Sequence, residues 1–189
     1  MITRRTFVAA GVLAAPVLSL PRDVDAKTKP HVYDPTPQEV RIKKHFEPGQ
    51  ILVLAGSYYL YLITEKRKAI RYGVGVGRAG LEFTGSAEIA VKREWPTWRP
   101  TQEMIERSPR TYAKFVDNDY IQPGGPNNPL GARALYLFQN GRDTYIRIHG
   151  TTQPETIGTA ASNGCFRMVN EHVMDLYERV PLGTKVTVI

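Results

Sequence analysis

The feature that most constrains the fold is a succession of short β-branched and aromatic segments separated by residues typical of turns. These segments follow residue 49 and cover residues 50–54, 58–64, 69–76, 86–91, 134–138, 144–149 and 185–189. Asn140-Gly141 predicts a tight hairpin turn between the segments at 134–138 and 144–149. We therefore expect a mostly-β, single-domain β-sandwich with minor helices.

The remaining regular structure is expected to be helical. A helix is predicted over residues 101–107, and a second over residues 171–180 with Asn170 as its N-cap. The stretch 117–131 between them is rich in Gly, Pro and Asn. Because structureless loops of this length are usually lids or binding loops, we expect this stretch to form a mobile cover over a cleft.

The N-terminal residues are typical of an export signal. Arg4 and Arg5 precede an apolar stretch at residues 7–20, and Val24-Asp25-Ala26 offers small residues for cleavage. The general secretory route and the twin-arginine route both fit this pattern. We expect a cleavable signal peptide over residues 1–26, a Pro-rich tether over 27–48 and one globular domain over 49–189.

The charge of the chain limits its partners. There are 25 Lys and Arg residues against 18 Asp and Glu, which gives a formal net charge of +7. No dense basic run or recognition-helix pattern favours nucleic acid, and no apolar run reaches the ~18–20 residues of an integral membrane span. For a basic exported protein, an anionic polymer of the cell wall is the expected partner.

Two patterns exclude common cofactors. The chain has a single cysteine, which rules out an internal disulfide and a Cys-rich metal centre. Residues 75–80 match G-x-G-x-x-G, but a dinucleotide site needs a helix to begin there, whereas residues 83–86 lead into another strand segment. We interpret these glycines as turn residues and expect no cofactor and no metal.

The single cysteine has the surroundings of a nucleophile. Cys165 lies between Gly164 and a stretch containing Arg167, just before the second predicted helix, and both a guanidinium and a helix N-terminus favour thiolate. His149, at the end of a predicted strand, could accept the thiol proton. Gly150 and Gly164 could let backbone N–H groups form an oxyanion hole. An inert buried cysteine fits the same pattern.

A longer motif surrounds these residues. It consists of His149-Gly150-Thr151, Pro154, Ile157-Gly158 and Ser162-x-Gly164-Cys165-x-Arg167-Met168-x-Asn170. Together with Glu94-Trp95-Pro96-Thr97-Trp98, this motif resembles the signature of the L,D-transpeptidase catalytic domain, the YkuD-like family. The resemblance covers about residues 50–189 and implies a β-sandwich of the L,D-transpeptidase type over 49–189.

The resemblance also implies roles for individual residues. Cys165 matches the nucleophile, His149 the proton donor and acceptor, and Gly164 the oxyanion loop. Substrate-binding or site-supporting roles are implied for the remaining positions, namely Arg167, Ser162, Asn163 and Gly150. Many members of the family have His where this chain has Asn163. If that second histidine takes part in proton transfer, His149 must act alone here.

The implied activity is that of a periplasmic, cell-wall-associated acyltransferase without cofactors. Such an enzyme forms a thioester on Cys165 from a peptidoglycan stem peptide and transfers it to an acceptor. The family resemblance implies 3→3 cross-linking between diaminopimelate residues, while relatives attach an outer-membrane protein or lipoprotein, exchange a terminal D-amino acid, or hydrolyse. The alternative is a non-catalytic peptidoglycan-binding module that retains the fold.

Overall fold

A computed structural model describes residues 33–189 of the chain. The predicted signal peptide and the first part of the predicted tether lie outside the described residues. The strands are β1 Gln38–Arg41, β2 Ile51–Leu54, β3 Tyr59–Glu65, β4 Lys68–Gly73, β5 Val76–Gly77, β6 Gly85–Glu94, β7 Arg133–Gln139, β8 Arg142–His149, β9 Ala160–Ser162, β10 Phe166–Arg167 and β11 Lys185–Val188. The α-helices are α1 Gln102–Arg107 and α2 Asn170–Arg179. The mostly-β class with few helices is confirmed.

The strands form one long sheet and one short one. The nine-stranded sheet has the order β1-β4-β3-β2-β11-β6-β7-β8-β10, and β5 and β9 form a separate two-stranded sheet. Most neighbours are antiparallel, but β11 runs parallel to β2, and β10 runs parallel to β8. The parallel pair β8–β10 places the histidine segment directly beside the cysteine segment.

One apolar core lies inside this sheet. Side chains from both ends of the strand order belong to it, including Leu60 and Tyr72 near one end and Ile148 and Phe166 near the other. A bridge between Gly75, which follows β4, and Arg167 of β10 also links the two ends. The long sheet therefore folds over on itself, as a sandwich or barrel does, and α2 packs against the core through Val173 and Leu176.

Several local predictions are confirmed. Helix α1 begins after Thr101, whose side-chain oxygen accepts a hydrogen bond from the Met104 N–H at 3.3 Å. Asn140 and Gly141 both have positive φ angles, 52° and 74°, between β7 and β8. Such angles at both central residues match the right-handed twist of the flanking strands, which explains why Asn-Gly predicts this hairpin.

The predicted tether is wrong over the described part of residues 27–48. Residues 38–41 form strand β1, which pairs antiparallel with β4 through Glu39 opposite Ile70. The Pro35 carbonyl accepts a hydrogen bond from the Gly73 N–H at 3.0 Å, and the Tyr33 ring stacks on Tyr59 at 5.0 Å between centroids. The proline content hid an edge strand, since prolines are tolerated at sheet edges.

The predicted N-cap of the second helix is also wrong. Asn170 is the first residue of α2 rather than its cap, and the helix has no side-chain cap. The Asn170 Oδ1 instead accepts a hydrogen bond from the Ala132 N–H at 3.0 Å. A long-range contact of this kind cannot be read from residue spacing. Within residues 33–189, no helix is both long and apolar enough for a membrane span.

Candidate active site

Cys165 directly precedes β10, on the face of the sheet opposite the core. Phe166 pairs with Ile148 and Arg167 with His149 in the parallel β8–β10 ladder. Side chains alternate between faces along a strand, and Phe166 and Ile148 are fully buried in the core. Cys165, Arg167 and His149 are therefore on the same face, which lines a cavity of about 940 Å³.

The turn before Cys165 requires a glycine. Gly164 has a φ of +118°, and a Cβ there would come within 2.9 Å of the Ile146 side chain and 3.0 Å of the Leu81 carbonyl. Ser162, which is buried, accepts a hydrogen bond from the Gly164 N–H at 3.1 Å and donates one to the Cys165 carbonyl at 2.6 Å. Ser162 thus holds both ends of the turn that presents the thiol.

The thiol itself faces the backbone of β8. The Cys165 Sγ–H donates to the Tyr145 carbonyl at 3.7 Å. Tyr145 has a φ of 60° although it is neither Gly nor Asn, and its side chain is 68% exposed. A left-handed conformation is strained in a bulky residue, so the surrounding strands must hold Tyr145 in it. The resulting bend in β8 directs the Tyr145 carbonyl toward the sulfur.

His149 is the last residue of β8, and its ring is buried at the base of the cleft. Its Nδ1–H donates to the Gly150 carbonyl at 2.5 Å. A carbonyl oxygen only accepts, so the proton of the neutral ring is on Nδ1. The other nitrogen, Nε2, then carries a lone pair and can accept a proton.

Burial sets the protonation state of both groups. It lowers the pKa of His149 to about 4, against an opposing effect of the Gly150 carbonyl and with a further lowering by Arg167 and Arg147. Burial also raises the pKa of the Cys165 thiol, more than the Arg147 backbone N–H and the Arg147 and Arg167 charges lower it. The prediction of a thiolate-favouring site is therefore wrong, because burial outweighs the nearby positive charge. At neutral pH the site holds a thiol and a neutral imidazole.

The two predicted oxyanion glycines have different surroundings. The Gly150 N–H donates to the Arg133 carbonyl at 3.0 Å, so it is not available to a substrate. Gly150 is needed for packing, since a Cβ there would overlap Asn170 Oδ1. The Gly164 N–H is bonded to Ser162. The Cys165 N–H makes no hydrogen bond within residues 33–189 and is the available donor beside the sulfur.

Two arginines flank the thiol on this face. Arg167 donates from Nη1 to Gln153 Oε1 and Thr156 Oγ1, each at 3.2 Å. Arg147 forms a bidentate ion pair with Asp143, with N–O distances of 2.6 and 2.7 Å. The charge of Arg147 is thus balanced, whereas Arg167 is bound only by neutral groups.

Asn163 lies on the opposite side of the turn from β8. Its Oδ1 accepts hydrogen bonds from Arg78 Nη2 at 2.6 Å and Arg107 Nη2 at 3.4 Å. Its Nδ2 donates to the Tyr112 hydroxyl at 3.3 Å. Arg107 and Tyr112 belong to the segment that covers the cleft, so Asn163 joins that segment to the turn at residues 162–165.

The predicted cover is misplaced. Within the stretch 117–131, only Pro129 and Leu130 line the cleft. Most of the covering wall comes from residues before this stretch, namely Thr97, Trp98, Arg99, Pro100, Thr101, Gln102, Glu103, Met104, Arg107 and Tyr112. The 117–131 stretch is instead tied to itself, for example by the buried Asn128, whose Nδ2 donates to the Pro123 carbonyl at 3.0 Å. The Gly, Pro and Asn content correctly predicted a loop at residues 117–131, but it could not show whether that loop faces the cleft.

Sequence reasoning missed Arg147, Arg78, Arg107, Tyr112 and the Tyr145 carbonyl. Arg147 could have been found, since it lies two residues before His149 on one strand and must share its face. The other groups come from segments distant in sequence. Within the described part of the chain, no group of three His, Cys, Asp or Glu side chains could hold a metal ion.

Sequence comparison places this architecture among known proteins. The sequence model of the L,D-transpeptidase catalytic domain (YkuD) matches residues 48–188. The probable L,D-transpeptidase ErfK/SrfK of Escherichia coli strain K12 is 32% identical over 156 residues, which are 81% of this chain and 47% of that protein. The chain thus spans about half the length of this relative and of others like it.

Solved structures give the same fold. The NMR structure of the catalytic domain of Enterococcus faecium L,D-transpeptidase is 19% identical, with a TM-score of 0.54, and the match covers 77% of this chain and 99% of that one. A probable carnitine operon oxidoreductase from Brucella melitensis is 56% identical, with a TM-score of 0.55, and the match covers 82% of this chain and 93% of that one. Gly77 here ends strand β5 and a turn follows, so the G-x-G-x-x-G segment does not open a helix.

Proposed function

Because this chain belongs to the family of L,D-transpeptidase catalytic domains, we propose that it is an exported acyltransferase that acts on peptidoglycan stem peptides through Cys165. The observation that carries the proposal is the placement of the Cys165 thiol and the His149 ring on one face of the β8–β10 pair, in one cleft. A stem peptide of the donor would lie along this face.

The first half of the reaction forms a thioester. His149 Nε2 takes the thiol proton as Cys165 Sγ attacks the peptide carbonyl, since both groups are neutral before the substrate arrives. The Cys165 N–H donates to the oxyanion, and the Gly164 N–H can join it by leaving Ser162. The imidazolium then returns its proton to the departing amine, and a terminal D-amino acid leaves.

The second half transfers the acyl group. An acceptor amine attacks the thioester carbonyl, His149 removes the amine proton, and the Cys165 thiol is regenerated with that proton. The Asp143–Arg147 ion pair lies on the same strand as His149 and balances the charge of Arg147 beside the cleft. We propose a second stem peptide as acceptor, which gives 3→3 cross-linking, with an outer-membrane protein or lipoprotein as the other acceptor class.

We further propose that residues 1–26 direct export and that the enzyme acts in the periplasm at the cell wall. The proposal rests on the charge and apolar pattern of that segment. Fusing residues 1–26 to a reporter that is active only after export tests it. Retention of the reporter in the cytosol would contradict this location.

The test of the activity is product formation from purified muropeptides, resolved by mass. Wild-type protein should give cross-linked dimers with loss of a terminal D-amino acid, and Cys165→Ala should give none. The competing hypothesis of a non-catalytic binding module predicts that wild-type protein and Cys165→Ala retain muropeptides equally without any change in mass.

β-Lactam labelling tests the nucleophile separately. The family resemblance implies that a carbapenem, which imitates an acyl donor, acylates Cys165, while most penicillins react poorly. Intact-mass measurement should show one adduct on wild-type protein and none on Cys165→Ala. Equal labelling of both proteins would show that another group reacts.

A further inference from the structure

Several arginines near Cys165 form hydrogen bonds with neutral groups and no ion pair with a carboxylate of the described residues. Arg78 and Arg107 both donate to the single oxygen of Asn163, and Arg167 is bound by the neutral Gln153 and Thr156. The arginines that form ion pairs among residues 33–189 are Arg133, Arg147 and Arg179, and none of them is Arg78, Arg107 or Arg167. Glu103, one turn before Arg107 on α1, interacts electrostatically with Arg107 but forms no direct ion pair with it.

Gathering guanidinium groups in this way is unfavourable without an anion. Burial lowers the pKa of Arg167 and the charge of Arg78 lowers it further, while Cys165, Tyr112 and Glu155 act in the opposite direction. Arg78 and Arg107 are both exposed, and like charges a few ångströms apart in water repel by about 1 kcal/mol. An amide oxygen is neutral and offsets only part of this repulsion. The arrangement is thus incomplete in the free protein.

We propose that Arg78 and Arg107, held in place by Asn163, form a carboxylate-binding subsite next to Cys165. The proposal rests on the proposed function, in that the ligand is a carboxylate of the donor stem peptide. Guanidinium groups bind carboxylates through paired N–H donors, which fixes both position and orientation. Because Asn163 lies two residues before Cys165, a carboxylate bound by these arginines would hold the donor peptide near the thiol.

Asn163 suits this role better than the histidine found in many family members. Its Oδ1 has two lone pairs, so it accepts from both guanidinium groups at once. A neutral imidazole offers a single acceptor nitrogen, and an imidazolium offers none and would repel both arginines. The departure at position 163 and the two arginines therefore belong to one arrangement.

The subsite also joins the two walls of the cleft. Arg78 follows strand β5 and is tied to the turn of the floor by its N–H, which donates to the Ser162 carbonyl at 3.1 Å, whereas Arg107 ends helix α1 in the covering segment. A carboxylate bound by both would draw the covering segment toward the nucleophile turn. Donor binding would therefore order the cleft at the same step that positions the scissile carbonyl.

The first test uses two small reagents of matched shape and does not depend on transpeptidation. Full-length or signal-processed protein is alkylated at Cys165 with anionic iodoacetate and neutral iodoacetamide. Arg78→Gln/Arg107→Gln removes two positive charges and should lower the iodoacetate rate relative to iodoacetamide by about fivefold, which corresponds to about 1 kcal/mol of lost attraction. Arg41→Gln, on the edge strand β1, should leave the ratio at the wild-type value. An unchanged ratio in the double variant would overturn the subsite.

The second test identifies which carboxylate binds. Tetrapeptide donors are compared as the free acid, the C-terminal amide and the side-chain amide of diaminopimelate. Amidation of the bound carboxylate should lower kcat/KM of the wild type about tenfold or more, and the arginine double variant should not discriminate between that amide and the acid. The carboxylate introduced by Asn163→Asp should pair with both arginines. This variant should therefore also lose the discrimination between that amide and the acid. Equal discrimination in all variants would contradict the proposal.

The two tests separate the proposals. If wild-type protein processes no tetrapeptide but the alkylation ratio falls in the double variant, the proposed function fails and the anion subsite stands. If peptides are cross-linked but neither the ratio nor the amide discrimination depends on Arg78 and Arg107, the subsite is wrong and the enzyme activity stands.

Discussion

The two walls of the cleft are built by different physical means. The floor, formed by β8, β10 and the turn at residues 162–165, is held by a regular backbone ladder over a fully buried apolar layer. The opposite wall, made of the cover at residues 97–112 and the loop at 113–131 that follows it, contains only α1 and a short 3-10 helix at Ala113–Phe115 as regular structure. Arg99 holds this wall together by donating to the carbonyls of Phe115, Asn118 and Tyr120.

Under the proposed function, the floor carries the reacting groups and the cover contributes to substrate recognition. Cys165 and His149 lie on the floor, where the ladder and the core fix their positions and where burial sets their protonation. Arg107 and Tyr112 lie on the cover and reach the floor only through Asn163. Segments with few buried contacts open at low free energy, so substrate can enter without disturbing the reacting groups.

The largest effect is expected from the floor. Cys165→Ala should abolish product formation, since no other thiol exists in the chain. Its free energy of unfolding should change by about 1 kcal/mol or less, because one sulfur contributes little packing. Muropeptide turnover and urea unfolding measure the two quantities. A variant that unfolds at low urea would mean that the thiol is a structural group.

The next largest effect is expected from His149, the proposed base. His149→Gln should slow thioester formation about 100-fold, because the neutral thiol then has no proton acceptor. Single-turnover acylation by a carbapenem at pH 7 measures this step. Raising the pH should restore part of the rate by ionising Cys165 directly. A pH-independent defect would place His149 outside proton transfer.

Stability should depend on pH through the same histidine. With a folded pKa of about 4 against about 6.5 when unfolded, the unfolded chain binds more protons between these values. The free energy of unfolding should thus be highest above pH 6.5 and fall by about 3 kcal/mol as the pH drops to 4. The fall should be correspondingly smaller in His149→Gln, and an equal fall in both proteins would contradict the assignment.

The local stability of the opposite wall should depend strongly on the side chain of Arg99. Arg99→Ala removes a charged donor from three carbonyls and should destabilise this wall by about 2 kcal/mol. Hydrogen exchange at residues 115–122 should accelerate about 30-fold, which is that free energy expressed as a ratio, while exchange in β8 stays unchanged. Faster exchange in both regions would show that the floor and the opposite wall open together.

The smallest effect is expected at the junction between the walls. Asn163→His should lower kcat/KM for muropeptides only a few-fold, because His149 is proposed as the sole base and the histidine would loosen Arg78 and Arg107. Iodoacetamide alkylation of Cys165 at pH 7 should remain within about twofold. A large gain in that rate would mean that a second base improves the site.

Much of the fold follows from local physics. The strand segments and the Asn140-Gly141 hairpin could be predicted because β-branched alternation and left-handed turn residues act over a few positions. Strand β1 could not, since prolines concealed it, and neither could the short strands β9 and β10, each of at most three residues. These short strands exist because neighbours hold them, not because their own residues favour extension.

The sequence by itself determined the family, the mostly-β class and the pairing of a Cys165 motif with a His149 motif, since these depend on residue types at fixed spacing. Only the tertiary structure decided the protonation of that pair, because burial is a property of the whole packed sheet. It also decided which N–H groups remain free and brought Arg78 and Arg107 to Asn163 from segments distant in sequence. Contacts between such segments depend on how the sheet folds over on itself, and this cannot be predicted from the spacing of residues in the sequence.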